Sequence, residues 1–101
     1  MNFIAMNRFK IKKNNENDFI KLWKNRDSQL NNVPGFLKFN LIKGKTENDY
    51  TIFASHSIWR TNSDFINWTN SQAFRDAHKN AGSNKHMYIG HPEFEGFEVI
   101  L

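Results

Sequence analysis

Residues 33–59 read VPGFLKFNLIKGKTENDYTIFASHSIW, and the fold turns on how that stretch divides. Pro34-Gly35 is a breaker pair that ends whatever precedes it and reverses the chain. Phe36–Lys43 then reads as an extended segment, and Gly44–Asp49 as a polar turn. Tyr50–Trp59 is a run of β-branched and aromatic residues. Two such runs joined by a short polar turn are a hairpin, so the middle of the chain holds two consecutive antiparallel strands.

Toward the N-terminus, residues 3–11 alternate. Phe3, Ala5, Phe9 and Ile11 share one face, and Ile4 and Met6 the other, as in a strand with apolar material on both sides. Asn14, Asn15 and Asn17 form a capping region. Phe19, Ile20, Leu22, Trp23, Arg26 and Leu30 follow at helical spacing. Beyond the hairpin, Thr61 or Ser63 caps a helix that buries Phe65, Ile66 and Trp68. Asn70-Ser71 looks like a second cap and predicts a kink or a new helical segment carrying Phe74, Ala77 and His78. Residues 79–91 are polar and glycine-containing, a loop, and Phe94–Leu101 closes the chain as a strand.

The resulting order is β-α-β-β-α-β. It predicts a ferredoxin-like α+β plait with both helices on one face of an antiparallel sheet. On this register the other sheet face carries Ile4, Met6, Phe39 and Leu41. An apolar sheet face needs cover, and packing against the sheet of a second copy supplies it; a homodimer is the expectation.

Composition narrows the function classes. The 101 residues suit one domain, residues 1–101. Ten Phe and three Trp exceed what one small core holds and point to a pocket or a subunit interface. The net charge of +4 is spread along the chain with no basic block, which speaks against a nucleic-acid tail. The chain has no cysteine, which excludes disulfides, thiol chemistry and thiolate metal sites. The first apolar run, before Asn7 and Arg8, is too short for a signal peptide or a membrane span. A soluble, cytoplasmic protein is expected.

Three residues stand out as candidates for chemistry. Asn7 sits mid-strand on the face assigned to the helices, where an amide without a partner costs about 1–3 kcal/mol. It is either a core amide bonded to a loop or a donor aimed into a pocket. A lone helical histidine such as His78 is more often a surface or capping residue. A neutral imidazole on a pocket wall, though, is also the usual protein ligand to haem iron. Trp68 reads first as core filling. On an unbroken helix it would lie about 15 Å along the axis from His78, so only a break at Asn70-Ser71 brings the two round one cavity. His56 falls in the third strand and His86 and His91 in the loop, with no spacing of the zinc type. There is no GxSxG, P-loop or GxGxxG. The carboxylate pairs Glu93/Glu95 and Asp64/Asp76 look solvated.

A resemblance joins these residues. It is carried by Phe3-Ile-Ala-Met-Asn7-Arg-Phe9, by Trp23-Lys-Asn-Arg26-Asp-Ser and by Val33-Pro-Gly-Phe36. Trp59, the run from Phe65 through Trp68 and Phe74 to His78, and the tail from Gly90 complete it. Together they resemble the antibiotic biosynthesis monooxygenase (ABM) superfamily and, within it, the Isd-type haem-degrading monooxygenases. That resemblance implies a homodimeric α/β-barrel with one pocket per subunit and haem as both cofactor and substrate. Dioxygen and an electron donor, unidentified here, open the ring and release iron. Carried over residue by residue, His78 is the proximal iron ligand, with His86 and His91 as alternative imidazoles. Asn7 is a hydrogen-bond donor on the distal side, and Trp68 presses on the porphyrin and ruffles it. Two other functions fit the same fold: a cofactor-free monooxygenase of an aromatic or quinol substrate, and a non-catalytic haem-binding or stress-response dimer. The RNA-recognition motif shares the element order, but the third strand Tyr50–His56 lacks its glycines and leading base.

Overall fold

The computed structural model describes residues 1–26, 29–78 and 81–101, and of residues 81–83 the backbone alone. Strand β1 (Phe3–Lys12) is followed by helix α1 (Glu16–Lys24), a short 3-10 turn (Leu30–Asn32) and strands β2 (Phe36–Thr46) and β3 (Tyr50–Trp59). Helices α2 (Asn62–Thr69) and α3 (Gln72–His78), a 3-10 segment (Ala81–Met87) and strand β4 (Glu93–Glu98) complete the chain. The sheet is antiparallel in the order β2-β3-β1-β4, the ferredoxin-like α+β plait that the element order predicts.

Alternation in β1 decides which side chains meet the helices. Phe3, Ala5, Phe9 and Ile11 are all buried. Their cross-strand partners on β3 are Trp59, Ser57, Phe53 and Thr51. Two apolar clusters form on this face. One gathers Phe9, Ile11, Phe19, Phe53 and Met87; the other gathers Phe3, Ala5 and Trp59. Phe19 anchors α1 in the first, edge-on to Phe9 at 5.5 Å and fully buried. A ring buried to this extent contributes about 1.5–3 kcal/mol. The second cluster is closed by α2, whose Phe65 meets Phe3 and Trp59 at 5.6 Å each.

Three sequence expectations change. Helix α1 ends at Lys24, so Arg26 falls just past its end and Leu30 on the separate 3-10 turn, neither of them on the helix. Most of the polar stretch 79–91 winds into the 3-10 segment Ala81–Met87, with residues 79 and 80 outside the described ones. The closing strand is Glu93–Glu98, leaving Val99–Leu101 beyond the ladder.

A fourth difference reshapes the site. Phe39 and Leu41, expected on the open sheet face, face the helices. The cause is a bulge: Phe36 pairs with Trp59 but Lys38 pairs with Ile58, so β2 spends an extra residue at Leu37. One inserted residue moves every later side chain to the opposite face. Phe39 therefore stacks on Trp23 at 5.5 Å, and Leu41 packs on the Phe9–Phe19 cluster. The open face carries Ile4, Met6, Ile42, His56, Ile58 and Phe97 in its place.

The second helical region breaks where expected. The Ser71 hydroxyl donates to the Trp68 carbonyl (2.6 Å) at the end of α2 and accepts the Phe74 amide (3.2 Å) at the start of α3. One side chain thus ends one helix and caps the next. At the other end of α2, Thr61 is the cap, accepting the Asp64 amide at 3.1 Å. No described helix is long and apolar enough to cross a membrane.

Candidate functional site

Between the two clusters the sheet and helices leave a cavity of about 480 Å³, within the range of small-molecule sites. Its floor is the sheet, with Ala5, Asn7, Ser55, Ser57, Phe39 and Phe94. One wall comes from α2 and α3 through Trp68, Thr69, Phe74, Ala77 and His78. The other comes from Trp23, Arg26, Leu30 and Tyr88.

The break at Ser71 turns α3 so that Trp68 and His78 share this wall, their ring centroids 6.2 Å apart. Phe74 fills the corner, edge-on to Trp68 at 4.8 Å and stacked on His78 at 4.2 Å. Behind Trp68 lies the fully buried Trp59, at 5.3 Å. The Trp59 indole is held by donation to the Ser57 hydroxyl at 2.9 Å. Trp68 cannot retreat into the protein; its outer face meets whatever enters the cavity.

His78 is held as a neutral imidazole. Its Nδ1 lies 2.8 Å from the Phe74 carbonyl, and a carbonyl only accepts, so Nδ1 carries the proton. That leaves the lone pair on Nε2. Burial lowers the His78 pKa from its ordinary value; the Phe74 carbonyl opposes the shift and the Arg26 charge adds to it. At neutral pH the ring is therefore uncharged, the form that coordinates a metal.

Asn7 reaches the cavity floor from the middle of β1, where it pairs with Ser55 on β3 and Phe94 on β4. The sheet satisfies its backbone, and its amide has no side-chain hydrogen bond among the described residues. His86 and His91, the alternative imidazoles, are exposed and stand outside the cavity lining. His56 lies on the open sheet face.

The sequence singled out three lining residues and missed others. Arg26 lies over the Trp23 ring at 4.1 Å. Burial lowers its pKa, and Tyr88 is near enough that each feels the other's charge. No carboxylate pairs with it among the described residues, so a half-buried cation faces the cavity with room for an anion. The Trp23-Lys-Asn-Arg26 run was legible in the sequence as part of a motif, although Arg26 lies beyond the end of α1 at Lys24. Phe39 carried none, since its direction depends on the bulge. The indole nitrogens of Trp23 and Trp68 are buried and have no acceptor among the described residues.

These residues fit a planar, largely apolar molecule with acidic groups at its edge and a metal at its centre. The aromatic walls match the faces, Arg26 the edge and the His78 nitrogen the metal.

A family model, antibiotic biosynthesis monooxygenase, matches residues 2–80. Over 79 residues the chain is 34% identical to a heme-degrading monooxygenase of Bacillus thuringiensis subsp. konkukian, a match covering 78% of this chain and 73% of that one. Its fold is similar to that of the heme-degrader MhuD from Mycobacterium tuberculosis, solved with two hemes in its active site. The TM-score is 0.72 at 23% identity, over 98% of this chain and 96% of that one. It is equally similar to SnoaB of Streptomyces nogalater, a cofactor-independent oxygenase, with TM-score 0.72 at 14% identity over 99% and 94%. At these identities the two structures speak for the fold alone.

Proposed function

Because the chain belongs to the antibiotic biosynthesis monooxygenase family, we propose that it is a haem-degrading monooxygenase that takes haem as substrate and cofactor. The observation that carries the proposal is the neutral His78 ring, tied at Nδ1 and with Nε2 unbonded among the described residues, beside Trp68 on the wall of an apolar cavity. The 34% identical relative bearing that activity supports it.

Each residue then has a task. His78 coordinates the iron through Nε2, and the Phe74 carbonyl holds the ring and raises its basicity. Trp68, backed by Trp59, presses on one face of the macrocycle. Arg26 binds an acidic side group at the edge, a hydrogen-bonded charge pair in a partly dry site. Asn7 offers its amide on the sheet side. Bound haem supplies the iron that activates dioxygen and the ring that is opened, with electrons from a donor protein or small reductant. The aromatic walls keep bulk water from the reacting centre.

The open sheet face, with Ile4, Met6, Ile58 and the 44%-exposed Phe97, is read as the surface that pairs with a second copy. A contiguous apolar face of this kind marks an interaction site.

A cofactor-independent oxygenase acting on a flat aromatic substrate is the second reading, favoured by a cavity lined by Trp23, Phe39, Trp68, Phe74 and Phe94 that accepts such a molecule without calling on His78 as a ligand. Hemin titration separates the two. The haem reading expects a saturable Soret shift that His78→Ala alters, and loss of that band under dioxygen with ascorbate. Absence of haem uptake by the wild-type protein leaves the second reading standing.

A further inference from the structure

We propose that Ser55 is a second polar contact on the distal side of the site, acting beside Asn7 on the ligand that the iron binds opposite His78. The proposal rests on the haem reading above and adds a residue to it.

Four strands cross the cavity floor in one row, Leu41–Ser55–Asn7–Phe94. The rows on either side hold Ala5 with Ser57 and Phe9 with Phe53. Two polar residues thus stand side by side in the floor, whose other serine, Ser57, is already hydrogen-bonded. Directly opposed cross-strand side chains lie about 4.5–5.5 Å apart at Cβ, close enough to contact one small ligand together.

Ser57, two residues along the same strand, shows what a structural serine looks like here. It is buried, accepts the Trp59 indole N–H at 2.9 Å and donates to the Ala5 carbonyl at 3.4 Å. Ser55 does neither. It is half-buried and lines the cavity, and its hydroxyl has no hydrogen-bond partner among the described residues. Asn7 is in the same condition. Packing alone would be served at least as well by valine, which suits a pleated half-buried surface and carries no polar group. A hydroxyl kept beside an unpartnered amide, on the sheet side of a cavity whose helical side carries His78, is placed to donate to a small anionic or polar ligand.

The test uses fluoride, a hydrogen-bond acceptor that binds ferric haem, on the haem complex of the wild-type chain and of Ser55→Val, Ser55→Ala and Ser55→Thr. Loss of a donor to a charged acceptor weakens binding about tenfold. The expected result, measured on fully haem-loaded protein, is weaker fluoride binding by about that factor in Ser55→Val and Ser55→Ala and near-wild-type binding in Ser55→Thr. The C–O stretching band of the ferrous carbonyl complex should move upward in the valine and alanine variants only. Fluoride affinity and a C–O band identical to wild type in both would overturn the role of Ser55 while leaving the haem reading intact. Failure of the wild-type protein to take up haem would overturn both.

Discussion

The Trp68 and His78 rings lie 6.2 Å apart because the chain changes helix between them, not because one helix carries both. Ten residues on a straight α-helix advance about 15 Å and leave the two side chains some 80° apart around the axis. The Ser71 hydroxyl, bonded to the Trp68 carbonyl behind it and the Phe74 amide ahead, replaces that geometry with a turn. The site depends on this break.

Replacing Ser71 by Ala removes both bonds. Loss of the cap should cost about 1 kcal/mol, seen as a lower midpoint in urea unfolding. Haem affinity should fall further than that of a destabilised control such as Thr61→Ala, which loses only the cap of α2. Equal effects on affinity would show that the break does not align the wall.

Trp68 packs on Trp59 and Phe74 and exposes its remaining face to the cavity. Trp68→Ala should destabilise the fold by about 3 kcal/mol, the low end for a buried Trp→Ala change because Trp68 is half-buried. Trp68→Phe should keep the fold and haem binding while turnover falls about tenfold, ~1.4 kcal/mol of barrier. Turnover at the wild-type rate in Trp68→Phe would remove the indole from the mechanism.

Arg26 faces the cavity with no carboxylate partner among the described residues. Arg26→Gln should weaken haem binding about tenfold, and the wild-type preference for haem over its dimethyl ester should shrink to the same extent. Equilibrium titration of both ligands with both proteins checks this. An undiminished preference would place the acidic groups elsewhere.

The His78 pKa is lowered chiefly by burial, and the sign of its linkage follows. Below the ordinary histidine value of about 6.5 the unfolded chain takes up a proton before the folded one does. The contribution of neutral His78 to stability is thus complete above that value and is lost as pH falls through the lower folded value. Haem coordination should follow the same course, persisting somewhat below pH 6.5 and failing in more acid solution. Spectrophotometric titration of the complex checks it; loss of coordination above pH 6.5 would contradict the depressed pKa.

Much of this molecule was readable from residue order. Alternation in β1 placed Phe3, Ala5, Phe9 and Ile11 on the helix side, where they are buried. Asn70-Ser71 announced the break between α2 and α3. Phe39 and Leu41 were assigned to the wrong face because a bulge at Leu37 carries no turn residue to mark it; only pairing with β3 exposes the extra residue. Leu30 kept helical spacing with Phe19 and Trp23 but belongs to a separate turn. A half-buried apolar side chain looks the same from either element. Arg26 was visible as part of a motif, yet its lack of a carboxylate partner is a tertiary fact. The Ser55–Asn7 row depends on register, which alternation within one strand does not determine.

The account stands on iron coordination by His78. Hemin titrated into the wild-type chain and into His78→Ala, followed by absorption and by electron paramagnetic resonance of the ferric complex, measures it directly. Saturable binding with a histidine-ligated ferric signal in the wild type, and loss of that signal in a His78→Ala protein with unchanged circular dichroism, is the predicted result. An identical signal in both proteins would contradict it.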